Sequence, residues 1–259
     1  MSTITMYNRD EITASNPVIK AIRTTIETNF YGNNVIKVNS ISEAYKLAKN
    51  SPGTVVTDMP IHRPEELGLS IDSKILLFND GATTGRFAGA RVIIGDGVNI
   101  GQFAGITREA VYQSRYKKLY HAQVIIGLHP DFMVRAHLLI PEGYENNMYS
   151  WLLNFQYLTN EYMRMYKDSK KFPEGDIYVF SDPDYFPPSH PDGLALFDPK
   201  YNCALLLGMK YFGEHKKGTL TLAWGIANRN GYASCHGGLK RYNFENGDKY
   251  TIGVFGLSG

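Results

Sequence analysis

Short apolar runs, separated by glycine and aspartate turns, are the feature that most limits how this chain can fold. Runs of this kind, rich in β-branched residues and bounded by turn residues, are typical of β-strands. The predicted strands are 54–57, 74–78, 91–94, 123–126, 133–140, 177–180, 194–197, 204–207 and 249–255. Helical segments occur among them without a regular strand–helix alternation. The pattern therefore predicts an α/β fold in which helices flank a mixed β-sheet.

Two regions carry the signals of helices. Residues 1–50 are predicted to be helical, because Asn16-Pro17 resembles a helix start and Ser40 and Glu43 have the spacing of a capping box. One long helix is predicted at about residues 144–167, where apolar residues recur at helical spacing. Its inner face consists of Met148, Leu152, Phe155, Tyr162 and Met165, which predicts core packing.

The composition excludes several classes of protein. The chain has 259 residues, 43% of them hydrophobic, and a net charge of +2, so it can form a sizeable core and shows no basic surface for nucleic acid or membrane. The N-terminus has no signal-peptide pattern, and no run is long enough to span a membrane. Cys203 and Cys235 are too few for a secreted disulfide framework. We expect a cytoplasmic protein, whose oligomeric state the sequence leaves open.

The C-terminal residues predict the beginning of a nucleotide site. The strand 249–255 leads directly into Gly256-Leu257-Ser258-Gly259. A phosphate-binding loop of the pattern G-x-x-x-x-G-K-[ST] also opens directly after a strand, and Gly256 would be its first glycine. The alternative is an ordinary C-terminal tail. On the first interpretation the chain is a fragment, with a domain at residues 1–248 and the start of a nucleotide-binding domain at residues 249–259.

An arginine after a predicted strand is the first candidate for chemistry. Thr84-Gly85-Arg86 follows the apolar strand 74–78. The guanidinium of Arg86, presented by a glycine turn at a strand end, could bind a carboxylate or phosphate through two parallel hydrogen bonds. The alternative is a surface turn with a solvated arginine.

Two further segments contain candidate cations and metal ligands. Tyr211 to Lys217 ends in Lys216 and Lys217; adjacent lysines usually form a solvated face, but a lysine beside another cation loses its proton more easily. His236, between a cysteine and two glycines, is either a metal ligand or a hydrogen-bonded structural residue. The remaining histidines show no zinc-site spacing.

Together these segments resemble the phosphoenolpyruvate carboxykinase family of the ATP-dependent type. Its members carry Tyr-x-Gly-Glu-Met-Lys-Lys, then Gly-Ile-Ala-Ser-Met-His, then a loop that begins Phe-Gly-Leu-Ser-Gly. The matching positions here are Tyr211, Gly213, Glu214, Lys216, Lys217, Gly231, Ala233, Ser234, His236 and 255–259. Arg86 also matches an upstream Thr-Gly-Arg. The strong resemblance covers about residues 200–259, with an island at 84–86.

The resemblance implies a fold like the family's N-terminal, substrate-binding domain, and a role for each matched residue. Arg86 would hold the carboxylate of oxaloacetate or phosphoenolpyruvate, Tyr211 would line the substrate and CO₂ pocket, and Lys216 would be a second cation. Lys217, as a neutral amine, and His236 would bind Mn²⁺. Gly256 to Gly259 would begin the loop that binds ATP with Mg²⁺.

The implied reaction converts oxaloacetate and ATP to phosphoenolpyruvate, ADP and CO₂. The chain alone would be inactive, because most of the phosphate loop is missing from it. Phe87 to Arg91 replaces the family's Ser-Pro-Lys-Asp-Lys, and His215 and Cys235 each replace a methionine. Two alternatives therefore stay open: a small-molecule kinase with a phosphate loop, and a non-catalytic relative with the same fold.

Overall fold

The protein, described here by a computed structural model over residues 21–79 and 89–256, is built on an eight-stranded mixed sheet. The strands are β1 (Val35–Lys37), β2 (Thr54–Pro60), β3 (Lys74–Phe78), β4 (Ala90–Ile93), β5 (Leu119–His129), β6 (Phe132–Pro141), β7 (Gln156–Tyr157), β8 (Ile177–Asp182), β9 (Leu194–Asp198), β10 (Cys203–Leu207), β11 (Gly237–Asn243) and β12 (Lys249–Phe255). The helices are α1 (Ala21–Asn29), α2 (Ile41–Lys49), α3 (Ile100–Ser114), α4 (Glu145–Asn154), α5 (Asn160–Asp168) and α6 (Phe212–Arg229), with a 3-10 turn at Pro64–Leu67.

The order of strands across the large sheet is β1-β5-β6-β8-β10-β9-β4, with β7 beside β5. The pairs β1–β5, β6–β8, β8–β10 and β4–β9 are parallel, and the pairs β5–β6, β9–β10 and β5–β7 are antiparallel. The predicted mixed α/β architecture is confirmed, and each predicted apolar run coincides with a strand. Every residue of β8, β9 and β10 is buried, which explains their continuous apolar sequences.

Each face of the large sheet has its own apolar core. Alternate residues of the central strands point to opposite faces, so Leu206 belongs to one core and Leu205 to the other. Helices α2, α4 and α6 cover the first core, and helices α1 and α3 cover the second. No helix within residues 21–79 and 89–256 is both long and apolar enough to cross a bilayer.

Two helix predictions were wrong in part. The segment 35–37, predicted as helix, is strand β1, because it pairs with the start of β5. The long helix predicted at 144–167 is two helices, α4 and α5. Between them Phe155 is extended, β7 pairs with β5, and the Thr159 hydroxyl caps α5 by accepting a bond from the Tyr162 N–H. Pairing with the sheet has overridden the helical periodicity. The Ser40 cap of α2 is confirmed, with its side chain bonded to the Glu43 N–H.

Strands β11 and β12 form a hairpin apart from the large sheet, and nearly all their residues are exposed. The turn contains Gly247, whose φ of +88° is a left-handed conformation that suits glycine. Strand β12 was predicted from the sequence, but β11 was not. The hairpin joins residues on both sides of position 248, and the predicted division of the chain at that position stays a prediction.

Candidate active site at the start of helix α6

The candidate site begins where β10 leaves the sheet and the chain turns into α6. Gly208 follows the strand with a φ of +64°, and a Cβ atom there would lie 2.5 Å from the ring of Phe186. Only glycine meets both requirements. The Gly208 N–H donates to the carbonyl of Asp182, the last residue of β8, at 3.0 Å. The turn therefore holds the start of α6 at the carboxyl ends of two parallel central strands, where α/β folds commonly bind ligands.

Tyr211 is the residue that caps the N-terminus of α6, and it is partly exposed. Its ring lies against Gly213, where a Cβ atom would overlap the ring carbons. The Tyr-x-Gly pattern is thus explained by geometry, because the missing side chain of Gly213 makes room for the aromatic ring. The Tyr211 ring is held over the first turn of the helix.

Three buried side chains fix α6 against the rest of the fold. The Glu214 carboxylate accepts a hydrogen bond of 2.6 Å from Arg91 Nε on β4. His215, which is fully buried, is within 2.8 Å of the Ser181 hydroxyl on β8. The Thr219 hydroxyl accepts a bond of 3.1 Å from the indole N–H of Trp151 on α4. The helix is thus anchored to three different elements.

The two candidate lysines lie on the next turn of the same helix. Lys216 is partly exposed and Lys217 is exposed. Lys217, Thr221 and Trp224 are spaced so that they share one face of α6, which we call the α6 surface. The Thr221 hydroxyl donates to the Lys217 carbonyl at 2.9 Å. Lys217 therefore presents its amine to solvent on a well-ordered helical turn.

His236 lies against the opposite end of the α6 surface. Its ring centroid is 6.3 Å from that of Trp224, at an interplanar angle of 53°. Lys217 is two turns earlier on this face, which is about 10 Å along the helix axis. The structure thus brings Tyr211, Lys216, Lys217 and His236 to a single helix. Trp224 was not predicted as part of the site. The sequence feature that could have identified it is its i, i+7 spacing from Lys217, which places both residues on one helix face.

Other predicted site residues lie outside the described part of the chain. These are Arg86, Leu257, Ser258 and Gly259. Gly89, the first described residue after the Arg86 segment, lies against Met209, where a Cβ atom would be 2.5 Å from the thioether methyl carbon. Gly256 is exposed directly after β12. The start of β4 and the start of α6 are therefore adjacent, through both Gly89–Met209 and Arg91–Glu214.

The described residues offer only part of a metal site. Within residues 21–79 and 89–256, no group of three or more His, Cys, Asp or Glu side chains could hold a metal ion. Lys217 and His236 supply two nitrogen donors, and a lysine amine must lose its proton before it can coordinate. A divalent cation of the Mn²⁺ type also prefers carboxylate ligands. The donor set fits a metal in part, and at least one ligand would have to come from elsewhere.

A polar rim borders the site beside Tyr211. The Tyr144 hydroxyl donates to the carboxylate of Asp184, and the Lys210 ammonium lies 5.3 Å from the centre of the Tyr144 ring. The side-chain amide of Asn147 donates to the Lys210 carbonyl at 3.1 Å. Partial burial and then the Asp184 carboxylate raise the pKa of Tyr144, so this hydroxyl stays protonated as a hydrogen-bond donor.

Comparison with protein families gives a match that covers most of the chain. A family model described as phosphoenolpyruvate carboxykinase, of the ATP-dependent type, matches residues 69–259, about three quarters of the chain. No curated protein matches at a significant level. The matched region is longer than the resemblance seen at residues 84–86 and 200–259. It includes β3 to β12, α3 to α6 and every candidate site residue.

Proposed function

We propose, because the chain belongs to the phosphoenolpyruvate carboxykinase family of the ATP-dependent type, that it takes part in converting oxaloacetate and ATP to phosphoenolpyruvate, ADP and CO₂. The observation that carries the proposal is that Tyr211, Lys216 and Lys217 lie at the start of α6 and that His236 lies against Trp224 of the same helix, all inside the family match. The native protein would accordingly be a lyase that also transfers a phosphoryl group.

The chain's own residues would bind and orient the substrate. Arg86 would hold a substrate carboxylate through its planar guanidinium, as the resemblance implies. Tyr211, fixed over Gly213, would form one wall of the substrate and CO₂ pocket. Lys216 would place a positive charge beside the reacting oxygen. Tyr211 and Lys216 need little rearrangement, since Glu214, His215 and Thr219 already hold the helix in position.

The proposed reaction has two steps, and atoms and electrons balance in each of them. The bond from C3 of oxaloacetate to its carboxylate breaks, CO₂ leaves, and the electron pair remains as an enolate. The enolate oxygen then attacks the γ-phosphorus of ATP, and ADP leaves with the electrons of the broken P–O bond. Cationic side chains at the site stabilise the negative charge in both steps.

We assign Lys217 and His236 as two ligands of a divalent metal. When bound there, the metal would supply positive charge that stabilises the enolate and the transferred phosphoryl group. Gly256 to Gly259 would begin the loop that binds the phosphates of ATP, which fits their position directly after β12.

A Mn²⁺ titration of the native protein tests this assignment. His236→Ala and Lys217→Ala should each weaken Mn²⁺ binding at least tenfold, because each change removes a ligand. Electron paramagnetic resonance measures the binding. Lys217→Arg should not restore binding, since a guanidinium has no lone pair to donate. His129→Ala is the control, because the His129 side chain is 75% exposed and His129 is no part of the proposed ligand set. Thermal melting of each variant separates loss of a ligand from loss of the fold.

Unchanged Mn²⁺ affinity in both His236→Ala and Lys217→Ala would overturn the metal assignment. The alternatives give different results in a second assay. A small-molecule kinase would bind ATP without decarboxylating oxaloacetate. A non-catalytic relative is favoured by one observation: at the segment where the family has Ser-Pro-Lys-Asp-Lys, Arg91 forms a structural pair with Glu214. Such a protein would neither decarboxylate oxaloacetate nor form phosphoenolpyruvate.

A further inference from the structure

Two histidines are buried within the large sheet, far along the chain from the candidate active site. His121 on β5 is 5% exposed and His137 on β6 is 4% exposed. Both side chains point towards the face of the sheet that α1 covers. Gln123 is directly opposite His137 in the strand register, and Tyr178 of β8 stacks on the other side of the His137 ring at 4.5 Å. Buried polar groups of this kind require hydrogen-bond partners.

The hydrogen bonds fix where the protons are. An ionised Asp176 carboxylate can only accept, so His137 Nε2 carries a proton and donates it at 3.1 Å. His137 Nδ1 must then accept, and it does so from His121 Nε2 at 3.0 Å and from the Gln123 amide at 3.1 Å. His121 Nδ1 is left without a proton. Among the described residues, this buried nitrogen has no hydrogen-bond partner.

A further proton has no favourable position in this arrangement. A proton on His137 Nδ1 would break both bonds that this atom accepts. A proton on His121 Nδ1 would create a buried cation without an acceptor, and unpaired buried charges are strongly unfavourable. The cluster of His121, His137 and Asp176, which we call the histidine cluster, is therefore built for two neutral imidazoles.

Charged and titratable groups lie on every element that packs against the cluster. They are Arg23 and Glu27 on α1, Lys37 on β1, Arg135 on β6, Tyr166 on α5, Asp176 before β8, and Tyr178 on β8. The Asp176 carboxylate is already engaged by Arg135 Nε at 2.7 Å and by the Tyr166 hydroxyl at 2.6 Å. Although burial opposes it, the hydrogen bond from His137 and the charge of Arg135 lower the pKa of Asp176, so the carboxylate stays ionised.

The environment lowers the pKa of both imidazoles. Burial, followed by the nearby charges of Lys37 and Arg135, lowers the pKa of His121 to about 2. Burial also lowers the pKa of His137, although Asp176 opposes this. An unfolded histidine has a pKa near 6.5. The folded arrangement therefore binds fewer protons than the open chain, so its stability is complete above about pH 6.5 and is lost as the pH falls below that value.

Helix α1 is the element that rests on the histidine cluster. Phe30, directly after α1, places its ring edge-on to His121 at 5.0 Å and to His137 at 6.0 Å. Arg23 of α1 donates to the carbonyls of Asp176, Tyr201 and Asn202 and lies 4.4 Å from the centre of the Tyr178 ring. Helix α1 contributes no strand to the sheet, so it can separate without breaking the ladder of strand hydrogen bonds.

We propose that the histidine cluster is an acid-sensitive latch, whose protonation releases helix α1 from the sheet while the sheet itself stays folded. The expected size follows from the proton balance. If both histidines take up a proton on opening, the opening constant of α1 should rise about 60-fold between pH 6 and pH 5. If one histidine does so, the rise should be about 8-fold.

Hydrogen exchange followed by mass spectrometry tests the latch on the native protein between pH 7.5 and pH 5, after correction for intrinsic exchange rates. Protection of α1 amides should fall steeply below pH 6.5, while protection of α6 amides should change much less. His121→Gln should reduce the pH dependence in α1 to that of a single histidine. His129→Gln is the matched control: it also removes a histidine from β5, but one whose side chain is 75% exposed, and it should leave the profile unchanged.

Three results would overturn the latch: protection of α1 that is independent of pH, simultaneous loss of protection in α1 and α6, or full pH dependence in His121→Gln. Should His121→Gln fail to fold, the comparison of α1 with α6 in the unaltered protein decides by itself. An NMR titration of the histidine Cε1 resonances in the folded protein gives a second test. If the buried pair titrates near pH 6.5 without any change in α1, the proposal is wrong.

Discussion

The ion pair between Arg91 and Glu214 should respond very differently to the loss of each partner. Its two side chains are unequally buried, since the Arg91 side chain is 38% exposed and that of Glu214 is 11% exposed. Arg91→Ala leaves a carboxylate enclosed at the start of α6 without a counter-ion. Glu214→Ala leaves a guanidinium that is partly exposed to water and still donates to the Gly89 carbonyl. We therefore expect Arg91→Ala to be the more destabilising change.

The burial of the two groups sets the expected magnitudes. Removing one partner of a buried pair costs about 3 to 5 kcal/mol, and the partial exposure here puts Arg91→Ala at the lower end, about 3 kcal/mol. Removing the partner of an exposed charge costs about 1 kcal/mol or less. Glu214→Ala should therefore lower the free energy of unfolding by about 1 kcal/mol, and the double variant should resemble Glu214→Ala. The coupling energy would be about 3 kcal/mol.

Urea-induced unfolding of the two single variants and the double variant measures these free energies directly. The pair Lys118–Glu142 is the control, because both of its side chains are well exposed, at 44% and 56%. Its two alanine variants should show no measurable asymmetry. Equal costs for Arg91→Ala and Glu214→Ala, or a larger cost for Glu214→Ala, would refute the argument that burial of the carboxylate determines the energy of the pair.

Two further outcomes follow from buried groups. His215→Ala should lower the free energy of unfolding by about 2 to 4 kcal/mol in urea denaturation, because it leaves a cavity and an unpaired Ser181 hydroxyl; a variant as stable as the parent would contradict this. Only one thiol should react with a chromogenic disulfide reagent in the native protein, since Cys235 is exposed while burial raises the pKa of the Cys203 thiol. Both thiols should react in denaturant. Fast modification of Cys203 in the native protein would contradict the burial of its side chain.

The chemistry of the candidate site was accessible from the sequence because it lies in short continuous motifs. Tyr211, Gly213, Lys216 and Lys217 occupy one helix start, so their relation to one another is local. His236 was predicted as a partner through the family resemblance. The structure adds that it lies against Trp224 on the same helix. The roles of these residues in metal and substrate binding stay predictions, as do those of Arg86 and the loop at Gly256 to Gly259.

The anchoring of the site could not be predicted in the same way. Arg91 and Glu214 are more than a hundred positions apart, and nothing near either residue in the sequence indicates the other. Only the adjacency of β4 and α6 makes them a pair. His215 is a similar case, because its burial depends on Ser181 of β8.

The sequence by itself determined the central buried strands and the Ser40 cap. Continuous apolar runs between turn residues marked β8, β9 and β10 because strands buried on both faces tolerate little else. The Ser40 cap formed because its hydrogen bond spans three residues. Signals of this kind act within a few positions of the sequence, so they do not depend on tertiary contacts.

The tertiary structure alone decided which segments became neighbours. Residues 156–157 have a helical pattern on both sides, yet they form β7 because the edge of β5 offers backbone partners there. The same long-range contacts placed His121 beside His137 and His236 beside Trp224. Pairing across a sheet and packing against a helix depend on the free energy of the whole fold, and no local window of sequence contains that information.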